Sequence, residues 1–254
     1  MTGIFDTHAH YDDARFDADR DEAIARQFSD GVELIVNCGA SLESSRISRK
    51  LAQRYDGMYF AAGIHPEAVK SADIPIDELK SLLADPKAVA VGEIGLEYYY
   101  EDGAPREIQR EVFEKQIYLA AELNMPVIVH DREAHDDILE ILTKHRPKGV
   151  VHRFSGDVEM AKKLLDLGLY LGFGCATTYK SSRNERETAS FVPADRLLLE
   201  TDCPYLAPAH IRRERCESLM IPFAAELIAE LRGTDAQTLI DLARQNGKTL
   251  FGIK

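Results

Sequence analysis

Eight short apolar runs recur along the chain with polar-faced segments between them, and this alternation constrains the fold more than any other feature. The runs lie near 4–8, 32–38, 58–64, 88–93, 126–130, 149–152, 169–173 and 197–202. Rich in Val, Ile, Leu and Ala on both faces, they read as strands buried in a parallel sheet. Helices are expected around 18–29, 43–55, 75–84, 105–124, 133–145, 157–167 and 184–191, with a closing pair near 217–232 and 235–245. Repeated βα units with short loops imply right-handed parallel crossovers. Eight of them close into a (β/α)8 TIM barrel of the α/β class. A length of 254 residues, 45% of them hydrophobic, suits one such barrel with its active site at the C-terminal face of the strands. The chain is read as a single domain over 1–254.

Local signals agree with that division. In the segment REIQREVFEKQIYLAAELN, Val112, Ile117, Leu119, Ala120 and Leu123 recur at helical steps and predict a long outer helix. Ser41 and Thr234 or Asp235 mark helix starts, and Gly31, Gly168 and Gly233 mark stops. Cys38, Cys175, Cys203 and Cys216 form no C-x-x-C pair, so they read as ordinary packed thiols. The start MTGIFDTHAH has no basic leader, and no long apolar stretch occurs anywhere. A cytoplasmic protein with no membrane association and no obligate protein partner is expected.

Five of the eight histidines fall where a strand-like run ends: His8 and His10, His65, His130 and His152. Glu93 and Asp202 sit in the same way. Side chains two apart on a strand share a side, so His8 and His10 both point inward. Gathering this many ionisable groups without ions would be costly. The expected metal ligands are therefore His8, His10, Glu93, His130, His152 and Asp202. Nitrogen and carboxylate donors without thiolate suit zinc, manganese, iron, cobalt or nickel, and tolerate magnesium. The ligand count exceeds what one catalytic zinc takes, so two divalent ions are expected, with Glu93 as the natural bridge.

The chain resembles the TatD family of metal-dependent deoxyribonucleases, in the amidohydrolase-type barrel superfamily. The likeness covers essentially the whole chain and rests on FDTHAHYDD at the start, AAGIHPE at 61–67, VGEIGLEYY at 91–99, PVIVHDRE at 126–133, VVHRFSGD at 150–157 and LLLETDCPYLAP at 197–208. The resemblance implies the same six ligands, His65 near the scissile phosphate, and cleavage of DNA, often from the 3′ end, with magnesium, manganese or zinc. Three positions depart from the family pattern: Glu97 where Asp is usual, Arg153 where Cys is frequent, and AHIRRERCES after the PYLAP motif.

The expected function is a divalent-metal-dependent phosphodiesterase acting on DNA ends or short single strands, as a 3′–5′ exonuclease. A hydroxide held between the ions would attack the phosphorus in line. Asp202 is either a plain ligand or a ligand that also takes the proton of the attacking water. Glu93, Asp202 and His65 form the expected catalytic set. For substrate binding, His65 either donates to a phosphate oxygen or merely caps the turn at Pro66. Arg132 either forks onto phosphate or pairs with Glu133 or Asp136. Tyr98, with Tyr99 and Tyr100, either stacks on a base or packs at the rim. Glu97 is expected to orient a histidine, Arg153 to point outward, and Arg212, Arg213 and Arg215 to form a basic stretch near the mouth that is either a solvated loop or the place where a polynucleotide backbone is met. A net charge of −12 argues against coating of long nucleic acid but leaves room for a substrate held locally at the barrel mouth. The rival reading is hydrolysis of an amide, lactone or carboxylic ester in the same barrel.

Overall fold

A computed structural model describes all 254 residues. Eight parallel strands lie in sequential order: β1 (Ile4–Ala9), β2 (Val32–Cys38), β3 (Met58–Ala62), β4 (Ala88–Glu97), β5 (Val127–Arg132), β6 (Gly149–Val151), β7 (Tyr170–Phe173) and β8 (Leu197–Leu199). Around them run α1 (Arg20–Ser29), α2 (Leu42–Arg54), α3 (Ile76–Leu83), α4 (Arg106–Leu123), α5 (His135–His145), α6 (Val158–Asp166), α7 (Arg183–Phe191), α8 (Ile221–Arg232) and α9 (Ala236–Phe251). This is the (β/α)8 barrel that the alternation predicts.

The seam between β8 and β1 differs from the other junctions. β8 ends at Leu199, three residues earlier than the sequence suggests. The chain then closes on β1 through single contacts: Asp202 N–H donates to His8 O (2.9 Å) and His10 N–H to Cys203 O (2.8 Å). Thr201 N–H donates to Asp6 Oδ1 (3.0 Å) and Thr7 Oγ1 to Leu199 O (3.0 Å). The Asp6 side chain thus stands in for a ladder carbonyl at Thr201, whose hydroxyl also donates to Asp6 Oδ2 (2.6 Å).

Most of the core, 55 buried residues, lies in one cluster that includes Ile24, Leu79, Phe113, Ile138 and Ile228 of the helices and the strand side chains they cover. A separate cluster of 13 includes Val36, Ala61, Ile128, Val150 and Leu198. Ile128 and Val150 precede His130 and His152 by two residues, so the same inward row that fills the barrel floor delivers the histidines at its mouth. Ser41 and Asp235 cap α2 and α9, accepting from Ser44 N–H and Thr238 N–H. No helix is long and apolar enough to cross a membrane.

Candidate metal centre

β1 carries His8 as its penultimate residue and passes His10 just beyond its end. Their Nε2 atoms lie 3.0 Å apart. The rings are held from behind: His10 Nδ1 is 2.8 Å from Cys38 O at the end of β2, and His8 Nδ1 is 3.5 Å from Cys38 Sγ. β4 brings Glu93 into the middle. Its Oε1 is 2.9 Å from His130 Nδ1, 2.7 Å from His152 Nε2 and 3.5 Å from His65 Nε2. Its Oε2 is 3.4 Å from His8 Nε2 and 3.5 Å from His10 Nε2. Asp202 Oδ1 completes the group, 3.4 Å from His10 Nε2 and 3.8 Å from His8 Nε2.

All seven predicted side chains converge, and three sets have donor atoms close enough to share an ion: His8, Glu93 and His152; His8, His10 and Asp202; and His65, Glu93 and His130. The donors fit a divalent cation. They are nitrogen and carboxylate oxygen only, they lie in buried groups, and their nitrogens crowd together, with His8 Nε2 3.0 Å from His10 Nε2 and His130 Nδ1 3.3 Å from His152 Nε2, as ligands around a common ion do.

Charge in this pocket is decided by partners, since burial penalises every charged form. For His10 burial opposes protonation, yet the Asp202 and Glu93 carboxylates lift it to about 9. Burial opposes it at His152 too, and Glu93 and Glu200 lift that ring to about 10. Burial would raise Asp202, but His10 and the other imidazoles hold it at about 2. Glu93 is likewise held well below the carboxylate range, against burial, by His152, His65 and His8. His65 goes the other way, pushed down to about 3 by burial. Its Nδ1 accepts from Glu67 N–H (3.2 Å), capping the turn at Pro66. A neutral ring that accepts at Nδ1 carries its proton on Nε2, so His65 presents a donor to the cavity.

The cavity above these groups measures about 500 Å³ and is lined also by Asp12, Ser44, Glu67, Tyr100, Arg132, Arg153 and Tyr205. Arg132 ends β5. Neither Glu133 nor Asp136 is its partner; Nη1 lies 3.8 Å from Glu97 Oε2, and the guanidinium stacks over Tyr99 (4.2 Å) and Tyr100 (5.1 Å). Glu97 Oε2 stands 3.2 Å from His130 Nε2, the orienting contact expected of it.

Three expectations are corrected. Tyr98 does not face the cavity: its hydroxyl donates to Asp137 Oδ2 of α5 (2.6 Å) and Arg106 covers its ring at 4.2 Å. β4 runs on to Glu97 rather than ending at Glu93, and this extension turns Tyr98 outward and leaves Tyr100 as the tyrosine at the mouth. Tyr98→Phe should therefore change turnover less than about 2-fold while lowering unfolding stability by about 1 kcal/mol, as measured by urea titration. Arg153 is the second correction, since it lines the cavity instead of pointing outward. β6 stops at Val151, and Arg153 takes a left-handed φ of 45°, so strand alternation no longer applies. Third, Arg215 is not a free basic group, because its guanidinium grips both oxygens of Asp19 (2.6 and 2.7 Å) and Glu217 (2.9 Å).

Two buried carboxyls that support this centre, Glu200 and Asp6, escaped the sequence reading. Glu200 accepts from Arg153 N–H and sits 3.7 Å from His152 Nδ1. Its inward parity with Leu198 was the available signal. Asp6, lifted to about 7 by burial, ties β1 to Thr201 and Ser218. Its two-residue spacing before His8 was the hint.

Comparison with known proteins gives the family. The sequence pattern of the family described as TatD related DNase matches residues 5–252. The chain belongs to this TatD-related family. An uncharacterized metal-dependent hydrolase, YabD of Bacillus subtilis, is 37% identical over 98% of this chain and 99% of its own length. A 3′-5′ ssDNA/RNA exonuclease, TatD of Salmonella typhimurium, is 33% identical over 98% and 99%. The crystal structure of YjjV, a TatD homolog from Escherichia coli, superposes with a TM-score of 0.92 at 31% identity, covering 99% of this chain and 98% of that one. This TatD-family chain is accordingly an enzyme, a metal-dependent hydrolase.

Proposed function

We propose that this enzyme is a phosphodiesterase that removes nucleotides from the 3′ ends of single-stranded DNA or RNA. The observation that carries the reading is Glu93, which turns one carboxylate oxygen to His130 and His152 and the other to His8 and His10. That arrangement suits two divalent cations, magnesium, manganese or zinc, which His8, His10, Glu93, His130, His152 and Asp202 would hold. Bound there, such ions supply acidified water and neutralise charge on a phosphoryl oxygen. The relatives named as 3′-5′ ssDNA/RNA exonucleases, alike over nearly the whole chain, support the choice of substrate.

The chain's own groups divide the remaining work. Asp202, ionised and opening on the cavity, accepts the proton of the attacking water at a carboxylate oxygen. His65 donates from Nε2 to a nonbridging phosphate oxygen. Arg132, kept in place by Glu97 and by the Tyr99 and Tyr100 rings, offers a planar fork to the same phosphate. Tyr100 gives an aromatic face for the terminal base.

The deciding experiment is digestion of end-labelled single- and double-stranded DNA and of RNA across a metal titration, read for product size. Mononucleotides shed from 3′ ends of single strands, abolished by chelator and restored by a divalent ion, are expected. Internal fragments, shortening from the 5′ end, or cleavage that survives chelation would overturn the reading. A parallel panel of amides, lactones and carboxylic esters tests the rival chemistry.

A further inference from the structure

Of the two guanidinium groups that line the cavity, that of Arg153 is the one without a partner. Six carboxylates line that space, namely Asp12, Asp13, Glu67, Glu93, Glu97 and Asp202, against the two guanidinium groups of Arg132 and Arg153. Arg132 is engaged with Glu97 and stacked on two tyrosines. The single hydrogen bond of Arg153 runs from its backbone N–H to Glu200 Oε1, and its guanidinium makes neither an ion pair nor a hydrogen bond. The backbone is specifically arranged to put it there. Arg153 holds a φ of 45°, a region that side chains other than Gly, Asn and Asp seldom occupy. The anchoring Glu200 is buried, and its carboxylate fills the space where a side chain at Gly172 would stand, a Cβ there lying 2.2 Å from Oε2. A residue at a rarely occupied φ, pinned by a buried carboxylate, thus holds an unpaired guanidinium at the cavity wall, free to meet an anionic ligand.

Positive charge continues outward on that side. The Arg212 guanidinium lies 4.8 Å from the centre of the Tyr179 ring, and the Tyr179 hydroxyl donates to Ala207 O (2.8 Å), next to Leu206, which lines the cavity together with Arg153. Arg153, Tyr179 and Arg212 thus form a basic and aromatic ledge leading from the cavity past β6 and β7. Arg132, at the end of β5, is a separate guanidinium contact.

We infer that Arg153 binds a phosphate of the substrate strand other than the one being cut, the strand leaving the cavity over Arg153 toward Tyr179 and Arg212. The inference rests on the phosphodiesterase reading and sharpens its substrate class: strands with at least two phosphates, rather than isolated phosphodiesters. Arg153 is a specificity-determining residue that contacts substrate away from the scissile bond.

The test uses Arg153→Gln and Arg153→Lys in the full chain. Two substrates are compared, a single-stranded oligodeoxynucleotide and bis(p-nitrophenyl) phosphate, which carries one phosphate only. Arg153→Gln should raise KM for the oligonucleotide about 10-fold with kcat within about 2-fold, leave the one-phosphate substrate unchanged, and be partly rescued by Lys. Independently of turnover, fluorescence anisotropy of a labelled oligonucleotide with chelator-treated protein should show about 10-fold weaker binding for Arg153→Gln. The slope of log affinity against log salt should become shallower by about 0.7, the loss of one single-strand phosphate contact. Equal affinity and equal slope in wild type and Arg153→Gln overturn the inference, whatever the digestion shows. So does an equal loss on both substrates. Failure of the wild type to digest the strand with any divalent ion overturns the exonuclease reading instead.

Discussion

Glu93→Gln should lower kcat/KM by at least about 10²–10³-fold and strip the protein of bound divalent metal, measured by single-turnover assays and metal analysis of the purified enzyme. The replacement is nearly isosteric, so packing around the buried side chain is kept and the change is one of charge. Four histidines face the two Glu93 oxygens at 2.7–3.5 Å, and a fifth, His65, shares Oε1 at 3.5 Å. A site that no longer holds its metal forfeits several kcal/mol of charge stabilisation in the transition state, about 3–4 kcal/mol at the least. Since 1.36 kcal/mol is tenfold, that alone accounts for the predicted range. Asp202 cannot substitute, because it reaches only His8 and His10. Circular dichroism identical to wild type separates the loss from unfolding. A folded Glu93→Gln enzyme with wild-type metal content and turnover would remove the central carboxylate from the mechanism.

Which parts of this site were legible in the sequence follows from how each side chain is placed. His130 and His152 sit on inward strand rows, two residues beyond Ile128 and Val150, so a period of two locates them without knowledge of their neighbours. His8 and His10 share a side in the same way, whereas Glu93 was found from its place after the apolar run AVAVG, since an irregularity between Val91 and Ile94 breaks the period of two there. Asp202 was assigned correctly to the barrel mouth for a partly wrong reason: it does not end a strand, because β8 stops at Leu199 and a turn with φ of 66° carries Asp202 to the seam. Where a residue's direction depends on a positive φ or on how far a strand runs, periodicity fails. Arg153 and Tyr98 are such cases. So is α9, which continues to Phe251 although Asn246-Gly247 reads locally as a turn. There Asn246 instead donates to Ala194 O and Leu197 O (2.8 and 2.9 Å), and Gly247 lets the helix lie against the Phe5 ring. Those interactions link positions about fifty and more than two hundred residues apart, which no local pattern records.

Gly95 shows how closely metal geometry depends on such backbone features, and Gly95→Ala is expected to be among the most damaging single changes available. β4 pairs with β5 through Gly95 and His130. Gly95 has a φ of 146°, and a Cβ there would lie 2.0 Å from His130 O and 2.9 Å from His130 C and N. Every one of those atoms is backbone, so relief requires moving β5 at the residue that presents its ring to Glu93. Strain from the φ is about 1–3 kcal/mol, and the clash adds to it. A loss of roughly 3 kcal/mol or more in unfolding free energy is therefore expected by urea denaturation. In whatever fraction stays folded, a shift of His130 by about 1 Å should cost on the order of 10²-fold in turnover. Gly168→Ala provides the contrast: its φ is also positive, at 86°, yet nothing lies within 4 Å of the added carbon. It should lose only about 1 kcal/mol and keep full activity. Equal losses in the two variants would show that φ alone governs both. A larger loss confined to Gly95→Ala, with metal binding reduced in step, would show that the approach of β4 to His130 is what keeps the imidazole aligned with Glu93.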